Sequence, residues 1–172
     1  KTIVKFILPI LLFAVCNLNA QNVNIPDATF KSLLVANTAI NTNGDSEIQV
    51  SEAQAYTGII QVNNNNISNL VGISAFVNIT VLRCQDNNIT SLDLSQNTKL
   101  IDVLCSSNPI TSINVSQCLD LEELYCSNTN IISLDISNNT ALKKVSAVSN
   151  SNLAIINASG AVALESLSFF NS

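Results

Sequence analysis

From residue 59 onwards, apolar and polar positions return at a nearly constant interval. Cysteine marks one position of the pattern as Cys84, Cys105 and Cys126, each 21 residues after the one before. Neighbouring apolar columns keep the same phase and hold Ile60, Leu82, Val103, Leu124, Val145 and Leu167, then Ile67, Ile89, Ile110, Ile131 and Leu153. One unit of this length cannot bury its own apolar face, so the interval predicts stacked coils that bury these columns against one another.

The residues around each cysteine alternate in polarity, as in "VLRC" and "ELYC", and this alternation predicts a short strand in every coil. Stacked coils should align these strands into a parallel sheet with one column of small or apolar side chains facing inward. That column holds Val62, Cys84, Cys105, Cys126, Ala147 and Phe169. The repeat resembles the leucine-rich repeat, L-x-x-L-x-L-x-x-N/C-x-L, at the short end of its length range.

The resemblance implies a leucine-rich-repeat solenoid of the α/β superhelix class. We expect a short parallel β-sheet on the concave face and an irregular, 3-10 or short extended convex side. About five coils would occupy residues 59–172, behind a small helical cap over residues 21–58. The last coil stops at "SLSFFNS" with no polar cap behind it, so we expect more coils, a cap or a surface-sorting domain beyond residue 172.

A polar column follows the cysteine column by three residues and contains Asn65, Asn87, Asn108, Thr129, Asn150 and Ser172. In the leucine-rich-repeat family, this position turns the chain away from the strand. An amide there can bond to backbone groups of its own and neighbouring coils that would otherwise be buried without a partner. We expect the shorter hydroxyl of Thr129 to bridge fewer of these groups. The segment 150–152 is one residue longer than its equivalents, which predicts a small bulge.

The three phased cysteines are best interpreted as a buried column of thiols that pack as small apolar side chains. The alternatives are a metal site or a disulfide. Stacking places equivalent Cα atoms about 5 Å apart, but side chains in register point the same way rather than at each other. Cys118 is different because it shares a column with Asn97 and Asn139 in the outer turn. Its place there makes it the candidate for a reactive thiol.

The segment before the repeats predicts a helical cap. Phe30, Leu33 and Leu34 follow Pro26 and Asp27 with the spacing of an amphipathic helix. The next segment, "NTNGDSEIQVSE", resembles an EF-hand calcium loop, with a short second helix in residues 51–58. The cap as a whole resembles the helix pair that precedes the repeats of internalin-like bacterial proteins.

The calcium ligands that the EF-hand resemblance implies are Asn41, Asn43, Asp45, Glu47 through its carbonyl, Gln49 and Glu52. Asn41 replaces the usual aspartate. Ser46 stands where the family has a glycine, and we expect it to carry backbone strain. Two interpretations remain open: a weak calcium site of the extracellular class, or a metal-free cap.

Residues 1–20 have two lysines, an apolar run over residues 6–16 and a small residue before Gln21, as a secretory signal does. The run is too short to span a bilayer, and we expect no membrane span after cleavage. Removal of Lys1 and Lys5 leaves 5 basic and 12 acidic side chains, a net charge of −7, which argues against a nucleic-acid partner. Histidine is absent and no nucleophile–base set is visible, so we expect no enzyme.

The outward strand positions predict a binding surface because repeat solenoids commonly bind on their concave sheet. They are Val81, Arg83, Gln85, Asp102, Leu104, Ser106, Glu123, Tyr125, Ser127, Lys144, Ser146 and Val148. The sequence therefore predicts a monomeric, secreted or cell-surface module that binds an extracellular protein or a glycan in recognition or adhesion. The alternative is a structural spacer that presents a domain located beyond residue 172.

Overall fold

The computed structural model describes residues 21–170 and shows the predicted solenoid. Two helices come first, α1 (Ala28–Ala36) and α2 (Val50–Ala55). Ten short strands follow: β1 (Ile59–Gln61), β2 (Val81–Arg83), β3 (Ser91–Asp93), β4 (Asp102–Leu104), β5 (Ser112–Asn114), β6 (Glu123–Tyr125), β7 (Ser133–Asp135), β8 (Lys144–Ser146), β9 (Ile155–Asn157) and β10 (Ser166–Ser168). A 3-10 turn, Ile73–Ala75, lies between β1 and β2. The predicted signal segment, residues 1–20, and Ser172 of the polar column lie outside the described residues.

Six of the strands form one parallel sheet in the order β1-β2-β4-β6-β8-β10. Each strand pairs in register with the equivalent strand of the next coil, so that Leu82 lies opposite Val103 and Val103 opposite Leu124. The other side of the solenoid carries two-stranded parallel sheets, β3-β5 and β7-β9. The predicted fold class is therefore confirmed, with short extended segments on the side opposite the main sheet.

The core consists of the apolar columns that repeat along the sequence. In strands β1, β2, β4, β6 and β8 of the six-stranded sheet, the central residue is at most 2% exposed. Cys84, Cys105 and Cys126 are fully buried and form no disulfide, which agrees with the predicted column of buried thiols. Burial raises the pKa of Cys84 and of Cys126 to about 12, so these thiols stay protonated. The pattern predicts that Phe169 continues the column, but it is 54% exposed because no described coil packs beyond β10.

Three asparagines of the polar column form a ladder that connects adjacent coils, as predicted, whereas the Asn65 amide donates only within its own coil, to the Asn63 carbonyl at 2.6 Å. The Asn108 amide donates to the carbonyls of Cys84 and Cys105, both at 3.0 Å, and its oxygen accepts the N–H of Ile89 at 3.0 Å. We call Asn87, Asn108 and Asn150 the asparagine ladder. Its members satisfy backbone groups in the core that would cost about 1–3 kcal/mol each if left without a partner.

Thr129 interrupts the asparagine ladder, also as predicted. Its hydroxyl lies 3.2 Å from the carbonyl of Cys126 in its own coil and 2.8 Å from the Asn150 side-chain oxygen. The hydroxyl has a single hydrogen, which these two acceptors share. The extra residue of segment 150–152 is absorbed in a turn closed by the Leu153 N–H and the Asn150 carbonyl at 3.0 Å.

A left-handed residue precedes each of the five residues of the polar column that the structure describes. Asn64, Asp86, Ser107, Asn128 and Ser149 all have φ between 53° and 59°. Asparagine and aspartate tolerate this conformation better than other non-glycine residues, which explains part of the polar composition of the turns. The turn thus directs the chain out of the strand and aims the next side chain into the core.

Cys118 corrects one sequence-based expectation. It is fully buried rather than exposed in an outer turn, and its thiol donates to the carbonyl of Leu94 at 3.4 Å. Burial, with a smaller contribution from the charge of Asp93, raises the pKa of Cys118 to about 11. Its column is a second amide ladder, in which Asn97 and Asn139 each donate to two carbonyls of the preceding coil. Cys118 therefore has the environment of an inert structural thiol.

The N-terminal segment packs on the first coil as a cap. The carboxylate of Asp27 accepts the N–H of Thr29 and Phe30 at the start of α1 and also the N–H of Ser68 at 2.8 Å. Phe30 and Leu34 are buried in the same cluster as the repeat columns, and Leu33 packs against it. A Cβ at Gly72 would approach Ile25 to 2.7 Å, which shows how closely the segments meet. Within residues 21–170, no helix has the length and apolar character needed to cross a membrane.

Candidate binding surface

The six-stranded sheet presents one side that no described segment covers. We define the sheet face as the outward positions of β2, β4, β6 and β8 plus the residue two places after each strand. All twelve residues predicted from the sequence belong to it, and the strand register sorts them into three rows: Val81, Asp102, Glu123 and Lys144; Arg83, Leu104, Tyr125 and Ser146; Gln85, Ser106, Ser127 and Val148. Lys144 is exposed and the others are half-buried. Their role in binding stays a prediction.

Tyr125 contacts two neighbouring side chains of the sheet face. Its hydroxyl donates to the Glu123 carboxylate at 2.6 Å, and the Lys144 ammonium lies 5.1 Å from the centre of its ring. The interaction with Tyr125 also raises the pKa of Lys144. A hydrogen bond at one end and a cation over the ring restrict the rotamers of the tyrosine, so its ring is held ready for contact.

Charges of both signs lie next to Tyr125. Asp102 and Glu123 are direct neighbours in the register of β4 and β6. Burial raises the pKa of Asp102, the negative charge of Glu123 adds to the effect, and Arg83 opposes it. The Arg83 guanidinium donates to the Gln61 side chain at 3.3 Å. The middle row therefore combines a cation, an aliphatic and an aromatic group beside a pair of carboxylates.

Two of the predicted binding residues also have a structural task. The Ser106 hydroxyl accepts the N–H of Ser127 at 3.0 Å, and the Ser127 hydroxyl accepts the N–H of Val148 at 3.1 Å. These serines connect each coil to the next at the ends of the strands. Sequence reasoning assigns them to recognition because it places them on the correct face, but it cannot reveal these bonds.

The opposite side of the solenoid carries a recurring turn motif. Asp93, Asn114, Asp135 and Asn157 each accept the N–H of a serine two residues later. The recurring signal is Asp/Asn-x-Ser, beginning at the last residue of each short strand, in "LDLS", "INVS", "LDIS" and "INAS". These side chains are Asx turns that reverse the chain.

The predicted calcium ligands lie in one loop, but the side-chain oxygens of five of them, Asn41, Asn43, Asp45, Gln49 and Glu52, already accept hydrogen bonds. Asp45 accepts the side-chain amides of Asn43 and Gln49, both at 2.9 Å. Glu52 is 8% exposed and accepts backbone N–H groups with both oxygens. The Glu47 side chain pairs with Lys31 at 2.6 Å. In this arrangement the ligand oxygens do not fit calcium, because binding would first require these hydrogen bonds to break.

The backbone strain expected at Ser46 is also not observed. The left-handed residue of the loop is Gly44, with φ +74°, two places before the position where the EF-hand has its glycine. The loop therefore follows a different path from the calcium-binding template, and the glycine is where that path requires it.

No family model and no curated protein matches the sequence. Among solved structures, the functional domain of InlJ from Listeria monocytogenes, described as including a cysteine ladder, is 25% identical. The match has a TM-score of 0.61 and covers 84% of this chain and 36% of the InlJ chain. The internalin InlF of the same species is 23% identical, with a TM-score of 0.59 and coverage of 80% and 45%. Internalin C2 is 20% identical, with a TM-score of 0.58 and coverage of 79% and 66%.

These neighbours agree with the repeat that the sequence shows. The chain spans between 36% and 66% of the length of the three internalins. Their strands stack in the same parallel, coil-by-coil manner. The chain therefore has the leucine-rich-repeat solenoid fold of these Listeria internalins.

Proposed function

We propose that this protein is a secreted or cell-surface recognition module that binds an extracellular protein through the sheet face. The observation that carries the proposal is the restrained Tyr125, with Leu104 and Arg83 in the same row of an uncovered sheet. The internalin-like fold and the signal-like segment 1–20 support it. Its role is binding without catalysis.

The composition of the middle row favours a protein partner. Tyrosine and arginine are enriched among the residues that dominate binding energy, and such residues cluster where water is excluded. Tyr125 is already held by Glu123 and Lys144, so binding would cost little side-chain entropy. The half-buried Leu104 next to it supplies apolar area without an exposed hydrophobic patch of unusual size.

Two screens test the proposal, one with short random peptides displayed on phage and one with a glycan array. Peptides that bind the purified chain are then measured by biolayer interferometry against the double variant R83A/Y125A. We expect affinity to fall at least about 30-fold, which corresponds to the loss of about 2 kcal/mol or more at an interface hot spot. The thermal midpoint of the variant confirms that it is folded.

The matched control is K99A/L119A, which removes one basic and one large apolar side chain from exposed positions outside the six-stranded sheet. It should leave affinity unchanged. Peptides that lose affinity with this control but not with R83A/Y125A would place recognition elsewhere. Selective retention of glycans alone would assign the sheet face to carbohydrate. A chain that selects neither class would favour the spacer.

A further inference from the structure

The loop 41–52 contains two carboxylates, Asp45 and Glu52, that a calcium ion would be expected to neutralise. Within residues 21–170 neither forms an ion pair with lysine or arginine. Both nevertheless have a complete set of partners. The identity of those partners shows what takes the place of a cation.

Glu52 is held by four donors. One carboxylate oxygen accepts the backbone N–H of Thr42 at 2.8 Å, the Thr42 hydroxyl at 3.1 Å and the N–H of Asn43 at 3.2 Å. The other oxygen accepts the N–H of Gln49 at 3.0 Å, which completes a capping box at the start of α2. Burial alone would raise the pKa of Glu52, but these hydrogen bonds outweigh it and lower the pKa. The residue that would chelate calcium with both oxygens is thus committed to the backbone.

Asp45 is held by amides. The side chains of Asn43 and Gln49 both donate to the same carboxylate oxygen at 2.9 Å, and the Asn43 amide also donates to the Gln49 oxygen at 2.8 Å. The other oxygen of Asp45 accepts the N–H of Glu47 at 2.7 Å. Amide hydrogens carry partial positive charge, and here they meet the carboxylate that a cation would otherwise meet.

The loop also fixes the N-terminal segment to the cap. Gln49 forms an antiparallel bridge with Asn22, and the carbonyl of Ile48 accepts the N–H of Val23 at 2.8 Å. Asn41, 5% exposed, donates to the carbonyls of Val35 and Asp45 and so connects the end of α1 to the loop. The loop therefore connects the N-terminal segment and the end of α1 to the start of α2.

We propose that the loop 41–52 is a metal-independent lock, in which the side-chain amides of Asn43 and Gln49 occupy the place of a calcium ion and hold the cap on the first coil. The loop has the spacing of EF-hand ligands, with amide donors at the place where a cation would lie. The cap then has the same stability in calcium-rich and calcium-poor surroundings. This inference is independent of the ligand of the sheet face.

Thermal unfolding of the purified chain in about 5 mM calcium, in the same concentration of magnesium and in EDTA tests the lock. We expect the same midpoint in all three, and no heat of calcium binding by isothermal titration calorimetry. Asn43→Asp replaces an amide donor with a second carboxylate beside Asp45. This variant should melt about 2–6 °C lower in EDTA and regain much of that loss in calcium.

Asn152→Asp is the matched control, because it makes the same chemical change at an exposed turn far along the chain. It should melt like the parent and show no response to calcium. If Asn43→Asp does not fold, Asn43→Ala removes the same donors without adding charge and should still melt lower in EDTA. A rise in the midpoint of the parent chain with calcium would overturn the proposal. So would an Asn43→Ala variant as stable as the parent.

Discussion

Replacement of Asn108 by alanine tests whether the asparagine ladder holds the coils together. The side chain is 3% exposed and bonds to four backbone groups of two coils, of which one, the Ser106 carbonyl, also accepts the Asp86 N–H at 3.0 Å. Alanine leaves the Cys105 carbonyl and the Ile89 N–H without this partner, whereas the Cys84 carbonyl keeps its bond from Asn87 at 3.0 Å. Two buried groups at about 1–3 kcal/mol each give an expected loss of about 2–6 kcal/mol in the free energy of unfolding.

Urea unfolding followed by circular dichroism measures this loss from the shift in midpoint at constant slope. Asn152→Ala is the control, because Asn152 is exposed in a turn, and it should change the free energy of unfolding by no more than about 0.5 kcal/mol. An Asn108→Ala variant within about 1 kcal/mol of the parent would refute the reasoning. It would show that the backbone groups find other partners when the amide is removed.

Three further predictions follow from the same contacts. Thr129→Asn should raise the free energy of unfolding by about 0.5–1.5 kcal/mol in the same urea assay, since an amide restores the interrupted rung. Cys84, Cys105, Cys118 and Cys126 should react with a thiol reagent only after denaturation, and rapid labelling of Cys118 in the native protein would contradict its burial. Thermal midpoints should stay level between about pH 5 and 8, because the chain has no histidine. Below that range the midpoints should fall. Hydrogen bonds outweigh burial and lower the pKa of Asp27 and of Glu52 in the folded protein from the ordinary values of 3.8 and 4.5. The stabilisation by these carboxylates is therefore present above the ordinary values and is lost as the pH drops through the lower pKa values of the folded protein.

Sequence reasoning predicts the repeat architecture because burial in a solenoid is periodic. Each coil places the same positions inward, so the spacing of Leu82, Val103 and Leu124 along the chain is enough to predict the register of the sheet. The asparagine ladder is predictable for the same reason, since a polar residue in phase with a buried column needs backbone partners. The interruption at Thr129 follows from the chemistry of its shorter side chain.

Sequence reasoning fails where burial depends on partners rather than on polarity. Cys118 shares a column with Asn97 and Asn139, and their polar character suggests an exposed turn. That column is a buried amide ladder instead. The spacing of a motif also does not show whether the nitrogen or the oxygen of an amide side chain faces a neighbouring carboxylate, as the nitrogens of Asn43 and Gln49 face Asp45. For this reason, the spacing of the loop 41–52 leaves both a calcium site and a metal-free cap open.

Phe169 shows a third limit. Its phase places it in the buried column, but a side chain at that position is covered only by the coil that stacks on it. The cysteines of the inner coils have such a neighbour on both sides. Periodicity therefore predicts the direction of a side chain, whereas its burial also depends on the next coil.

Photo-crosslinking from the sheet face tests whether this surface contacts the bound peptide. A photoreactive phenylalanine analogue is placed at position 104, beside Tyr125, and in a second protein at position 119, where Leu119 is 54% exposed outside the six-stranded sheet. Each protein is irradiated with the tightest peptide from the phage screen, and the adducts are identified by mass spectrometry. We expect adducts from position 104 that an excess of unlabelled parent chain suppresses, and none from position 119. Adducts from position 119 alone would show that the peptide binds outside the sheet face.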